Sequence, residues 1–356
     1  MPPDIKTVNQ NRKGQTVMKK NTKRLLAASS IAAGVAAVTE VSCRITRKLV
    51  TVALDRKQPK ASAKSAGRLS GNGGQSKQYA KTLTAAAEAL KNSECETVET
   101  TAYDGIKLVG HLRRCETEKR LIIAMHGWRS SWTADFGAIS DFWYDSGCTV
   151  LYAEQRGQGA SGGEYMGFGL TERYDCLEWT RWANENGYAD IPIYLCGVSM
   201  GASTVLMAAG LELPENVHGI IADCGFTSPH AIWKHVVNNN LHLHYGVFTA
   251  AVANDVCKKK IRIGAGEYSS TDAMRGCKVP VLFIHGTDDR FVPIEMTYEN
   301  YKACTTPKRL LVVPGAEHSM SYLIDKEAYE KTVKEFWEDF DGYHPESFHS
   351  PCLSEP

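Results

Sequence analysis

The stretch Ile191-Pro192-Ile193-Tyr194-Leu195-Cys196-Gly197-Val198-Ser199-Met200-Gly201 decides the fold. An apolar run, then Gly-x-Ser-x-Gly, then residues that favour helix is the order strand, sharp turn, helix. In that arrangement the serine sits in a strained turn and its oxygen projects above the sheet. The flanking glycines are needed because a side chain at either place would collide with the neighbouring strand and helix. The pentapeptide is a weak signal alone, and its weight depends on whether a base and an acid follow it at suitable places.

Outward from this point, short apolar runs alternate with longer helical stretches. The runs are Leu121–Met125, Thr149–Ala153, Ile191–Cys196, Gly219–Ala222, Val281–Ile284 and Leu310–Val313. Continuous rather than alternating hydrophobicity indicates strands buried on both faces, hence a mostly parallel sheet covered by helices. Ahead of them, Thr97–Tyr103 and Ile106–Leu112 read as a hairpin turning at Asp104-Gly105. Most runs end in loops rich in Gly, His, Asp or Ser, and ligands in such sheets bind beyond the carboxyl ends of the strands.

Serine is a poor nucleophile until a base takes its proton, and the base needs an acid to orient its ring and stabilise its charge. His318, in Pro314-Gly315-Ala316-Glu317-His318-Ser319, follows the run Leu310–Val313 and is the candidate base. The acid candidates are Asp288 and Asp289 in His285-Gly286-Thr287-Asp288-Asp289-Arg290-Phe291-Val292-Pro293. The spacing His-Gly-x-x-Asp-x-x-Val-Pro selects Asp289 and leaves Asp288 as a turn former. Asp223, at the end of another run, is a rival whose structural role would be a turn or cap. The order Ser199, Asp289, His318 is that of α/β-hydrolases rather than of chymotrypsin- or subtilisin-type proteases. Two donors must hold the oxyanion: the backbone N–H of Met200 and that of Trp128 in His126-Gly127-Trp128-Arg129. His126 and His285, each before a glycine, read as hydrogen-bonded structural histidines.

With these residues in place, the chain resembles the α/β-hydrolase superfamily. The resemblance rests on His126-Gly127-Trp128, the run Glu154-Gln155-Arg156-Gly157-Gln158-Gly159-Ala160-Ser161-Gly162-Gly163, the Ser199 pentapeptide, His285-Gly286-x-x-Asp289-x-x-Val292-Pro293 and Gly315-Ala316-Glu317-His318. Within the superfamily these are most similar to bacterial membrane-associated serine hydrolases related to serine aminopeptidases and to the prolyl oligopeptidase catalytic domain. Where the family carries Asp before Gln-Arg-Gly this chain has Glu154, in a loop that the resemblance makes structural. The implied activity is hydrolysis through an acyl-enzyme on Ser199, with no metal or organic cofactor. Prolyl oligopeptidase-like enzymes carry a propeller, and blades of ~40 residues leave no room for one in the ~95 residues ahead of the catalytic region. An aminopeptidase would need carboxylates to hold a free amine. The segment 225–275 offers only Asp255, Glu267 and Asp272 against six Lys or Arg. A carboxylic ester is therefore the leading substrate, aminopeptidase-like amide hydrolysis the alternative, and a non-catalytic binding scaffold the third reading.

That segment is longer than a plain crossover and contains Trp233, Tyr245 and Phe248, so it reads as a helical lid. His230, His235, His242 and His244 within it fit no familiar zinc spacing and belong to the lid surface. The 356 residues carry a net charge of +1, which gives no electrostatic reason to expect a nucleic-acid partner. The eleven cysteines are scattered and read as neither a disulfide framework nor a zinc site. Cys95 and Cys115 fall nearly opposite one another across the hairpin, where two reduced, half-buried thiols are expected rather than a bridge.

Lys19, Lys20, Lys23 and Arg24 precede an uncharged stretch, residues 25–39, which reads as a signal anchor or export signal. As a helix it would reach only ~22 Å against a ~30 Å hydrocarbon core. The expectation is membrane association through 25–39 with the catalytic domain outside the cytoplasm, a cytoplasmic location being the alternative. Residues 1–55 thus form a tail and anchor-like segment, 56–78 a flexible tether, 79–345 the catalytic domain and 346–356 a C-terminal tail.

Overall fold

The computed structural model describes residues 29, 34, 36–57, 74–242 and 244–342. Its centre is an eight-stranded sheet in the order β1-β2-β4-β3-β5-β6-β7-β8. The strands are β1 (Glu96–Thr101), β2 (Lys107–Arg113), β3 (Arg120–Met125), β4 (Cys148–Glu154), β5 (Ile193–Val198), β6 (Val217–Asp223), β7 (Val281–Gly286) and β8 (Lys308–Val313). β1 and β2 are antiparallel, as are β2 and β4, while β3 to β8 run parallel. β3, β6 and β7 are buried at every residue, as their unbroken apolar runs require.

Each face of the sheet packs its own core. On one side Leu121, Ile123, Leu195, Ile220 and Phe283 meet the helices Glu172–Ala183 and Met200–Ala208. On the other, Ile122, Tyr152, Tyr194 and Ile284 meet the helices Ser140–Asp145 and Lys326–Phe340 through Phe142, Phe336 and Trp337. The sheet is thus covered on both faces, the α/β-hydrolase architecture that the sequence predicts. β5 starts at Ile193 rather than Ile191, after Pro192, whose nitrogen carries no hydrogen for a ladder.

Two readings of the N-terminal region change. Residues 36–54 are helical and dock on the catalytic region, burying Val50 and Leu54 with Phe168, Met200 and Trp233. Residues 25–28, 30–33 and 35 lie outside the described residues, and among the described residues no helix is long and apolar enough to cross a membrane. The tether expected over 56–78 is bound at both ends. Arg56 donates to the carbonyls of Gly159 and Ser161, each at 2.6 Å, and Gly74–Gln78 is a short helix. Gln75 fastens that helix to the His318 loop, its N–H donating to Glu317 at 3.0 Å and its amide to the Gly315 carbonyl at 2.7 Å. Residues 58–73, between these anchors, and the C-terminal tail 346–356 lie outside the described residues.

The segment 225–275 forms the helices Pro229–His235, Val247–Ile261 and Ser270–Arg275. Ser228 and Ser269 cap the first and third by accepting from the backbone N–H three residues on. Cys95 and Cys115 are free thiols, as are the other cysteines among the described residues. Glu96 pairs with Leu112 across the hairpin, so Cys115 lies beyond the ladder.

Candidate active site

Ser199 joins β5 to the helix Met200–Ala208 with φ 55° and ψ −115°, a strained backbone for a residue with a side chain. A Cβ at Gly201 would overlap the Met125 carbonyl on β3, and one at Gly197 would overlap the backbone of Gly201. The turn therefore closes only with glycine at both places, which explains the pentapeptide physically. The strain is held by the Ser199 N–H donating to Asp223 O at 2.9 Å and by the helix that begins at Met200.

The structure brings Ser199, His318 and Asp289 together from three strand ends. Ser199 Oγ donates to His318 Nε2 at 2.9 Å, and His318 Nδ1 donates to Asp289 Oδ2 at 2.6 Å. Asp289 Oδ1 accepts the N–H groups of Phe291 and Val292, both at 2.9 Å, which fixes the carboxylate. His285 Nε2 lies 3.2 Å from Asp289 Oδ2 and donates to Val292 O at 2.9 Å. Thr297 donates to its Nδ1 at 2.6 Å, so His285 is a support under the acid. Asp288 lies apart from the chain of bonds and accepts from Thr287 Oγ1 in the turn. Asp223 does not reach the His318 hydrogen bonds. It accepts from Ser321 at 3.1 Å and is buried, which pushes its carboxyl up to about 6.

Burial opposes charge on both partners of the His318–Asp289 pair, yet each holds the other's ionised form. The imidazole is lifted well above its ordinary range and the carboxyl lies well below its own. Cys224 also packs against His318, but burial raises that thiol and keeps it neutral, so the carboxylate is what lifts the histidine. Cys224 Sγ, a carboxylate oxygen of Asp289 and a ring nitrogen of His318 lie within 4.8 Å of one another. Among the described residues these three are the donors a metal could meet here, and the 2.6 Å hydrogen bond already occupies two of them. In the 225–275 segment, His235 donates to Arg290 O at 3.2 Å and accepts from Asn239 at 2.9 Å, while His230 lies 3.5 Å from the Tyr245 hydroxyl.

The loop Gly127–Ser130 lines the same cleft as Ser199 and His318. Asp135, which no sequence motif singled out, fixes it by accepting from Gly127 N at 2.6 Å and Ser130 Oγ at 2.5 Å. Gln158 accepts from Arg129 N at 2.6 Å, and Arg129 takes a positive φ of 54°. The Trp128 indole donates to Ala53 O at 2.9 Å, and Arg129 donates to Val52 O at 2.7 Å and Asp55 O at 2.5 Å. The end of the N-terminal helix is thereby tied to the loop that carries the predicted oxyanion donor. Met200 lies at the first position of its helix, where backbone N–H groups have no intrahelical partner. His126 donates from Nδ1 to Gly127 O at 2.9 Å and accepts from Gln155 N at 3.2 Å, and burial keeps it neutral. Glu154, in place of the family's Asp, accepts from His111 at 2.8 Å and from the Ala160 N–H, so the longer acid still ties down its loop.

Ser199 and His318 open into a cleft of about 580 Å³. Its walls include Thr84, Ala87 and Glu88 of the helix Ala80–Asn92, together with Asp135, Phe291 and Tyr322. Phe291 stands edge-on to His318 with ring centroids 5.0 Å apart.

Several known proteins are similar to this chain in sequence or in fold. The Bacillus subtilis (strain 168) protein YqkD is 31% identical over 196 residues, covering 54% of this chain and 63% of YqkD, so the match spans less than two thirds of that relative's length. Human protein ABHD12B is 27% identical over 189 residues, 49% of each chain. Among solved structures, Pyrococcus furiosus esterase Pf2001 superimposes with a TM-score of 0.57 at 22% identity, over 70% of this chain and 92% of that one. The ferulic acid complex of Est1E from Butyrivibrio proteoclasticus gives 0.54 at 20% identity, over 69% and 100%. Residues 134–341 match the prolyl oligopeptidase family model. The chain has the α/β-hydrolase fold and belongs to the prolyl oligopeptidase family.

Proposed function

We propose that the protein hydrolyses carboxylic esters through an acyl-enzyme on Ser199. The observation that carries this is the unbroken hydrogen-bond chain Ser199–His318–Asp289, whose first two members line a cleft. His318 takes the Ser199 proton as Oγ bonds to the ester carbonyl carbon. The N–H groups of Met200 and Trp128 hold the oxyanion. The carbon–oxygen bond to the alcohol then breaks, and His318 returns the proton to the departing alkoxide. Water then gives a proton to His318 as its oxygen bonds to the acyl carbon, the bond to Ser199 Oγ breaks to release the acid, and His318 returns the proton to Oγ. Asp289 remains ionised throughout and keeps Nδ1 protonated.

Ester is favoured over peptide by what the cleft offers a substrate's ammonium group. Both oxygens of Asp135 are engaged by its own loop, and Asp223 is buried against Ser321. Glu88, exposed on the cleft wall, and the match to the prolyl oligopeptidase family favour aminoacyl amides as a second reading. Parallel assays with p-nitrophenyl esters and aminoacyl p-nitroanilides decide between them, and a fluorophosphonate probe tests the nucleophile. Labelling that persists in Ser199→Ala, or turnover of anilides alone, would contradict the ester reading. We also place the enzyme at a membrane surface. The supporting features are the basic residues 19–24, the uncharged stretch after them and the exposed Val38, Val41 and Ile45 on the helix that follows. Fractionation of cells expressing the full chain and a chain lacking residues 18–35 tests this, and identical soluble distribution of both refutes it.

A further inference from the structure

A second cavity of about 80 Å³ lies beside the Ser199 cleft. Its walls come from two segments distant in sequence: Leu49 and Val50 of the helix 36–54, and Ile232 and Val237 of the 225–275 segment. Phe168 lies between them, and the rings of Trp128, Phe168 and Trp233 stand in succession, with centroids 5.9 Å and then 5.2 Å apart. Trp128 and Phe291 line this cavity and the catalytic cleft alike, so the two spaces share a wall. Phe291 also touches His318, and Trp128 directly follows Gly127, whose Cα faces Ser199 closely enough that an added Cβ would lie 3.5 Å from the serine Cβ. The cavity therefore lies next to the cleft that holds Ser199 and His318, and its lining is almost wholly apolar.

We propose that this cavity receives the tail of the acyl group, making helix 36–54 a wall of the substrate site. This rests on Ser199 being the nucleophile of an esterase. An apolar cavity of about 150 Å³ holds a benzene ring, so the present one has room for about three carbons of a flexible tail. With the carbonyl and α-carbon still in the cleft at Ser199, the preferred substrates are esters of unbranched acids of about four to six carbons. The aromatic lining, with no charged side chain among the described residues of the walls, disfavours an anionic or ammonium-bearing tail.

Leu241 of the 225–275 segment also lines the cavity, and the test is the chain-length profile of kcat/KM with p-nitrophenyl acetate through octanoate, on the full chain and on Leu49→Trp and Leu241→Phe. These two variants fill the cavity from opposite walls and touch no catalytic group. Each buried methylene contributes about fourfold, so three of them make the parent rise about 60-fold from acetate to pentanoate before it levels. In each variant acetate turnover stays within about threefold of the parent while the rise with chain length flattens. Fluorophosphonate labelling of Ser199 reports whether a variant retains its fold and nucleophile, and either variant alone suffices. A parent with no chain-length preference, or a labelled variant that keeps the full slope, overturns the proposal while leaving the esterase reading intact. A parent that neither labels at Ser199 nor turns over any ester overturns both.

Discussion

Replacing Asp289 by Asn separates the role of this carboxylate from its shape. The Asn carbonyl oxygen can still accept from Phe291 N and Val292 N, so the turn survives. The amide nitrogen then faces His318 Nδ1, where the carboxylate now accepts at 2.6 Å. Two donors cannot face each other, so His318 turns to the tautomer with its hydrogen on Nε2, against Ser199 Oγ. That tautomer cannot take the serine proton. Enforcing the wrong tautomer in this way costs about 10⁴-fold in kcat, or about 5 kcal/mol at about 1.36 kcal/mol per decade. A second signature comes from proton linkage. The ionised Asp289 lifts the His318 pKa, and the base works only when neutral. In the parent, kcat/KM therefore rises with pH through an ionisation above the ordinary histidine value of about 6.5. In Asp289→Asn the residual activity rises at lower pH. The assay is ester hydrolysis from pH 5 to 10, with fluorophosphonate labelling to count intact sites. An Asn variant within tenfold of the parent would refute the reasoning. It would point instead to Asp223, whose own Asn variant is expected to stay within tenfold.

Asp135→Asn weakens the charged acceptor of Gly127 N and should lower kcat by about ten- to a hundredfold, in line with about 1.5–3 kcal/mol for a hydrogen bond to a charged group. A fall in substrate affinity with kcat unchanged would show that the loop needs no such anchor. Arg156 is buried between Asp175 and Asp104, so Arg156→Met leaves the buried Asp175 without its partner and should cost about 3–5 kcal/mol in denaturant unfolding. A loss below about 1 kcal/mol would contradict a structural role for the pair. Gly201→Ala drives a methyl group into the Met125 carbonyl, and overpacking of this kind costs about 1–3 kcal/mol. Thermal unfolding and loss of probe labelling should report it together, and a stable, labelled variant would argue against the close approach.

The sheet was readable in the sequence because its strands are continuously apolar and bounded by glycine-rich loops, a local signature. Ser199, Asp289 and His318 were readable for a related reason: each follows a strand end at a spacing set by backbone geometry. Asp135 was not, because a carboxylate in the first turn of a short helix looks like any helix-start acid. The docked helix 36–54 was hidden by its chemistry. Small apolar residues pack equally well against lipid or protein, and only the fold brings Ala53 to Trp128. Cys224 beside His318 escaped notice because it depends on the loops after β6 and β8, two strands that are not neighbours in the sheet, meeting in space, which no local pattern records.

The tie between Arg129 and the carbonyls of Val52 and Asp55 makes the helix 36–54 and the loop beside Ser199 thermodynamically reciprocal. If holding the 127–130 loop in its reactive shape favours the docked helix by some factor, then an acyl group or phosphonate on Ser199 must resist undocking of residues 36–54 by that same factor. Protease protection of the N-terminal helix would thus report occupancy of the serine. Conversely, any surface or partner that pulls the helix away would be felt as slower acylation, without touching the cleft.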